Sequence, residues 1–206
     1  MHLNSRQFPV PNFRAQSSWV WPLLLLAVSL LLAGCSKAGG GSAIHLKAPG
    51  MTEQDMPVKS GGAFAVTKTF TDVNRNITTA PSYRVYVANY DLDLGNFAQT
   101  LNKPLASDDQ LRVTFSIVGD VGGNEKTPAK AGTYSAKADK YMKAEDVSIV
   151  TRKDGKDNQV FLDRSGLTGD VKVTSVSGDT MTGEVDLTSG EFSIKGPFTA
   201  KVLTRK

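Results

Sequence analysis

The stretch "TMTGEVDL" (residues 180–187) alternates without a fault. Met181, Gly183, Val185 and Leu187 fall on one face, and Thr180, Thr182, Glu184 and Asp186 fall on the other. Side chains of an extended strand point to opposite faces in turn. Period two with one apolar face is therefore the mark of a half-buried strand, not of a helix.

The same period spreads outward from this stretch. "LRVTFSI" (111–117) sets Leu111, Val113, Phe115 and Ile117 against Arg112, Thr114 and Ser116. "FTAKV" puts Phe198, Ala200 and Val202 inward, and "EFSI" adds Phe192 and Ile194. Further strands are expected at 63–70, 83–90, 132–137, 146–151, 159–163 and 170–176. Turn chemistry separates them: "KDGKDN" (153–158), "SGD" (177–179), "TSGE" (188–191) and "GP" (196–197) read as hairpin connections or bulges. No sustained 3.6-residue apolar stripe competes. About ten short strands with one-sided alternation predict an all-β domain over 61–206. An antiparallel β-sandwich is favoured, with a small closed β-barrel as the alternative.

Composition narrows the chemistry. The chain has 206 residues, one cysteine and two histidines. The region 61–206 holds no Cys, His or Trp, since His45 precedes it and Trp19 and Trp21 lie near the start. Cysteine nucleophiles, Ser–His pairs and ordinary zinc sites are therefore excluded there. No phosphate-binding glycine loop or dinucleotide fingerprint occurs. No catalytic residue, metal ligand or cofactor is assigned, and the chain is not expected to be an enzyme.

Four local features invite a functional reading. "YDLDLGN" (90–96) offers Asp91, Asp93 and Asn96, and its Asp-x-Asp opening is that of a calcium loop, but Gly95 takes the third ligand position and no Glu closes the loop. A strand leaving the core with its acids in solvent explains it better. The glycine-rich segment 120–134 is the longest loop and a candidate for recognition, as is 153–158. Tyr86 and Tyr90 share a strand face opposite Tyr83, where core or cross-strand packing is the simpler role. The lysines of 136–146 are balanced by Asp139, Glu145 and Asp146, so a solvated surface is expected.

The N-terminal part is of another kind. Residues 1–18 carry Arg6 and Arg14 with no acid, and "WVWPLLLLAVSLLLA" (19–33) is apolar apart from Ser29. This is a basic segment followed by an apolar one of secretory length. It ends in Leu32-Ala33-Gly34-Cys35, which resembles the lipobox of bacterial lipoproteins position for position. The resemblance implies a diacylglycerol on the Cys35 thiol and cleavage between Gly34 and Cys35. It also implies a signal peptide over 1–34. Ser36, rather than Asp, follows the cysteine, and in a Gram-negative host this implies sorting to the outer membrane. Two or three acyl chains on one residue hold a protein to a bilayer without a spanning helix. Residues 35–60, rich in Gly, Ser, Ala and Pro, are expected to form a flexible tether of roughly 25–30 Å.

After loss of 1–34, basic residues exceed acidic ones by two, so no nucleic-acid partner is expected. The pattern "GDVKVTSVSGDTMTGEVDL…IKGPFTAKV" is similar to small envelope lipoproteins of unassigned function, a resemblance that implies no activity. The expected function is a monomeric, membrane-anchored envelope module that binds a protein or glycan partner. A lipocalin-like carrier of an apolar ligand and a carboxylate-based hydrolase are the alternatives. The first predicts a filled core, and the second an apolar cavity of a few hundred Å³.

Overall fold

The computed structural model describes residues 42–96 and 103–203, with Gln99 between them. Residues 1–34 and Cys35 lie outside the described residues. The strands are β1 (Ala43–Lys47), β2 (Gln54–Pro57), β3 (Ser60–Thr71), β4 (Ile77–Ala88), β5 (Leu111–Val118), β6 (Gly132–Ser135), β7 (Lys143–Lys153), β8 (Lys156–Phe161), β9 (Thr168–Ser177), β10 (Thr180–Ser189) and β11 (Phe192–Leu203). A short 3-10 turn lies at Leu94–Asn96.

Of the two all-β architectures expected, the protein adopts the closed barrel and not the sandwich. Eight strands pair in the ring β3-β4-β5-β7-β6-β9-β10-β11 and back to β3. All pairs are antiparallel except two. β11 runs parallel to β3 from Lys201↔Gly62 to Leu203↔Phe64, and β6 meets β7 in parallel at Ser135↔Lys143. Alternation alone could not separate barrel from sandwich, because both bury one face of every strand. Closure depends on β11, which pairs with β10 along most of its length and then reaches β3 with its last three residues.

The lumen is filled by side chains. Tyr83, Val85, Phe115, Ile117, Tyr134, Ile149, Met181, Val185, Leu187 and Phe198 are all at most 2% exposed. Phe115 and Phe198 come from strands on different sides of the ring and pack edge to face. Gly183 makes room for them. A Cβ there would lie 2.3 Å from the Lys172 carbonyl oxygen and 2.9 Å from the Phe198 ring, and the β9–β10 register shifts by a bulge at that point. Each large side chain buried this way stabilises the fold by about 1.5–3 kcal/mol.

Two expectations are corrected. Residues 43–60 do not belong to a tether. β1 and β2 form a hairpin that adds to the outer edge of β11 through His45↔Lys195, and Ile44, Leu46 and Met56 are fully buried. The strands of the β domain therefore begin at Ala43 rather than after residue 60. The Gly/Ser/Pro content of 35–60 concealed an Ile-His-Leu alternation only three residues long. Secondly, Gly196-Pro197 is no turn, and β11 runs straight through it. Along its second edge β11 pairs with β1 up to Lys195 and with β3 from Lys201. Pro197 sits in the interval between these partners, where a missing N–H costs no ladder bond. Gly196 (φ 146°) lies where a Cβ would meet the Ala43 carbonyl oxygen at 2.5 Å.

Candidate functional site

Period two sends half of every barrel strand outward, and on most strands those residues meet solvent. β5 is different. Its outward residues Arg112, Thr114 and Ser116 are 8%, 8% and 3% exposed, so both faces of this strand are covered. Strand register explains the cover. Tyr86 on β4 opposes Thr114, Thr114 opposes Ser148 on β7, and Ser148 opposes Phe161 on β8. These four side chains form one row across four strands. Thr114 and Ser148 make its floor, while Tyr86 and the 67% exposed Phe161 stand at its two ends. Three strand spacings separate the ends by roughly 14 Å.

The row lies in an open groove of about 890 Å³. Arg84, Arg112, Gln159, Asp146, Asp163 and Arg164 complete its polar lining. β7 carries a bulge here, since Thr114 pairs with Ser148 but Ser116 pairs with Glu145. Asp146 occupies the bulge with φ 56°, a conformation unfavourable for a non-glycine residue. The extra residue lets Ala144 and Val147 both face the lumen on either side of the bulge and leaves Asp146 on the groove wall, where it pairs with Arg164. Bulges of this kind re-aim side chains.

The charges in the groove are arranged unevenly. Arg112 Nη1 donates to the Tyr90 hydroxyl at 3.3 Å. The Tyr86 hydroxyl lies near both Arg84 and Arg112. Burial pushes the Tyr86 and Tyr90 hydroxyls above the usual tyrosine range, and the guanidinium groups oppose that shift. Asp163 is committed to its own loop. It accepts from Ser165 N at 3.0 Å and Ser165 Oγ at 2.6 Å, and these bonds hold its carboxyl below the usual range. Gln159 Nε2 donates to Ser148 Oγ at 3.2 Å, which leaves the Ser148 hydroxyl proton free to donate. Arg84 makes no ion pair among the described residues.

Of the features singled out in the sequence, Tyr86 and Asp146 line the groove and Tyr90 meets its Arg112, while the others fall elsewhere and do not converge. Asp91 pairs with Lys59 at 2.9 Å, and Asp93 accepts from the backbone N–H groups of Gly95 and Asn96 at 3.1 and 3.2 Å. The segment 120–131 is fastened over one end of the barrel. Tyr83 Oη donates to the Thr127 carbonyl, and Tyr134 Oη donates to the Lys130 carbonyl at 2.8 Å. Burial pushes the Tyr83 hydroxyl up to about 12. The space beneath this loop is a pocket of about 200 Å³, too small for most cofactors or lipids. The 153–158 turn is also occupied: Arg152 pairs with Asp157 at 2.8 Å, and Asp157 Oδ2 accepts from Leu105 N at 2.9 Å. Among 136–146, Glu145 pairs with Lys68, and Lys143 Nζ donates to the Asp139 carbonyl at 2.9 Å. Tyr83 enters the lumen while Tyr86 and Tyr90 face outward, as the alternation implied.

The groove itself was not found in the sequence. Its signal was Arg112, the one charged residue in an otherwise apolar and hydroxylic strand, but only the fold brings it into one groove with Arg84, Ser148 and Phe161. Among the described residues, no cluster of His, Cys, Asp and Glu could hold a metal ion, and no helix is long and apolar enough to cross a membrane. No protein-family model, curated protein or solved structure matches the chain.

Proposed function

We propose that the protein is a lipid-anchored component of the bacterial cell envelope whose barrel is a non-enzymatic binding module acting through the groove on its outer face. The observation that carries this reading is the contrast between the inside and the outside of the barrel. A carrier needs an apolar cavity of a few hundred Å³, whereas here the Phe115 and Phe198 rings occupy the lumen. The large concavity lies outside, with hydroxyl, amide and guanidinium groups on its floor and aromatic rings at its ends. Such surfaces take part in recognition of peptides and glycans. Hydrolysis by two carboxylates has no support in the groove, because Asp146 and Asp163 are each engaged by a neighbour.

The anchor rests on Leu32-Ala33-Gly34-Cys35, with lipid on Cys35 and cleavage after Gly34. In a Gram-negative host, Ser36 directs the protein to the outer membrane. The partner is an envelope protein or glycan. The test is capture from envelope extract by wild type and by Phe161→Ala, which shortens one end of the groove without touching the lumen. Val121→Ala, an exposed change on the barrel-end loop, is the control. Loss of capture in Phe161→Ala alone supports the groove, and capture unaffected by it refutes the groove.

A further inference from the structure

We propose that the tip of the β3–β4 hairpin is a membrane-contact site, which sets Val73 and Ile77 into the headgroup region of the bilayer that holds the lipid anchor. This rests on the anchor reading of Cys35 and is independent of the groove.

The hairpin outruns the barrel. β3 and β4 pair with each other from Ser60↔Ala88 to Thr71↔Ile77, but their outer neighbours stop short. β11 leaves β3 at Phe64, and β5 leaves β4 at Ser82. The two-stranded arm beyond is gripped at its base by two segments. Gly119 N and Gly122 N donate to the Pro81 and Thr79 carbonyls at 2.8 and 2.7 Å, and Thr67 bonds Glu125. Tyr141 packs edge to face on Phe70 and shares a hydrogen bond of 2.6 Å with the Thr78 hydroxyl. Past these contacts, every residue from 71 to 78 is exposed.

The tip is held in shape. The Asp72 carboxylate accepts from Asn74 N and Asn76 N at 2.8 Å each and from Asn76 Nδ2 at 2.9 Å. Arg75 turns the chain with φ 67°. These bonds engage Asp72, the only acid in 69–79, within the turn itself. Val73 is 98% and Ile77 68% exposed, with Asn74, Arg75 and Asn76 between them in sequence. Single exposed apolar side chains are ordinary, but here two of them share one projecting turn. A stable protein interface buries about 800 Å² on each partner, and the end of a two-stranded ribbon offers far less. A bilayer asks for no shape complementarity. Apolar side chains enter the boundary of the acyl chains while an arginine keeps its charge among the headgroup phosphates.

Strand direction brings the anchor to the same end. β1 runs antiparallel to β11, and β11 runs parallel to β3, so the start of β1 faces the end of the barrel where the tip projects. Val58 N donates to the Ser42 carbonyl at 2.7 Å, which places the entry to β1 beside the start of β3. The 12 residues of β3 span about 40 Å, or roughly 30 Å along the axis at a strand tilt of about 40°. The linker 36–42 reaches no more than about 25 Å. Followed in the direction of β1, the linker is shorter than the arm beside it. A bilayer that holds Cys35 at that end is within reach of Val73 and Ile77.

The experiment places the lipid-bearing full-length protein in vesicles of phosphatidylethanolamine and phosphatidylglycerol. Val73→Cys is labelled with an environment-sensitive nitrobenzoxadiazole fluorophore, and a lipid-bearing Cys35 takes no label. Glu191→Cys is the control, because it lies in the turn before β11 and so at the opposite end of the barrel. The Val73 probe should shift its emission to the blue and be quenched by nitroxide-bearing lipid, and the Glu191 probe should do neither. Ile77→Asp added to Val73→Cys should abolish the shift with the circular dichroism unchanged, since Ile77 is exposed. Flotation with the vesicles reports the anchor separately, and Cys35→Ala should no longer float. A Val73 probe that emits as in water on floating vesicles overturns the proposal and leaves the anchor standing. Equal shifts at both probes, or a shift indifferent to Ile77→Asp, also overturn it. Cys35→Ala that floats like wild type with its Val73 probe shifted removes the anchor and keeps the tip, and absence of both flotation and shift removes the two together.

Discussion

The rings of Phe115 and Phe198 meet across the lumen with centroids 5.2 Å apart and planes inclined at 76°. This edge-to-face contact joins β5 to β11, strands that do not pair with each other in the ring. Phe198→Ala should destabilise the barrel by about 3–5 kcal/mol, since it removes a fully packed ring and leaves a cavity. Chemical denaturation followed by circular dichroism measures this. A loss below ~1 kcal/mol would mean that the lumen is not the core.

The β1–β2 hairpin provides a second test. Leu46 is fully buried against the barrel although it lies in a segment with the composition of a linker. Leu46→Ala should cost about 2–5 kcal/mol. An unchanged melting temperature would restore the idea of a tether extending to residue 60.

The same hairpin makes stability depend on pH. His45 Nε2 bonds Glu53 at 2.7 Å and Nδ1 bonds Asp55 at 2.8 Å. The hydrogen bond to Asp55, then that to Glu53, raises the imidazole pKa above its ordinary 6.5. A raised folded-state pKa means that the stabilisation is fully present below pH 6.5 and is lost as pH rises through the folded value. Melting curves of wild type and His45→Gln should therefore converge at alkaline pH and diverge below neutrality, with wild type the more stable. A His45 resonance titrating at or below 6.5 would contradict this.

Tyr83 holds the barrel-end loop from inside. Tyr83→Phe keeps the ring but leaves the Thr127 carbonyl without its donor, at a cost of about 1–3 kcal/mol. Hydrogen exchange should rise across 120–131 while β9, β10 and β11 keep their protection. Uniform exchange across the protein would show that the loop is not a separate unit.

The proposed anchor is tested by partition. Wild type should enter the detergent phase, and Cys35→Ala should remain in the aqueous phase. An intact mass showing Met1 and an unmodified thiol would refute the lipoprotein reading.

How much of this was legible follows from what alternation encodes. Met181, Val185 and Leu187 face the lumen as their spacing implied, and so do Phe198 and Ala200. Period two assigns a face to each side chain but says nothing about which strand lies beside it. Ring closure through Leu203↔Phe64 and the row from Tyr86 to Phe161 are both facts of register, fixed by contacts between residues far apart in the chain. The groove therefore could not be read from the residues that line it, and Arg112 in β5 looked like any outward arginine. The bulge at Asp146 is another such case, because its φ of 56° has no glycine to announce it. β1 escaped notice for the opposite reason: too few residues carry its pattern.

Locking β1 onto β11 from Ala43 also sets a working distance. With lipid on Cys35, only residues 36–42 separate the bilayer from the barrel, and even fully extended they reach no more than about 25 Å. On that proposed anchoring the barrel is held close to its own membrane surface rather than sent out across a compartment. A partner must come to that thin layer or reside in it, and once there it searches in two dimensions, where even a weak groove stays occupied.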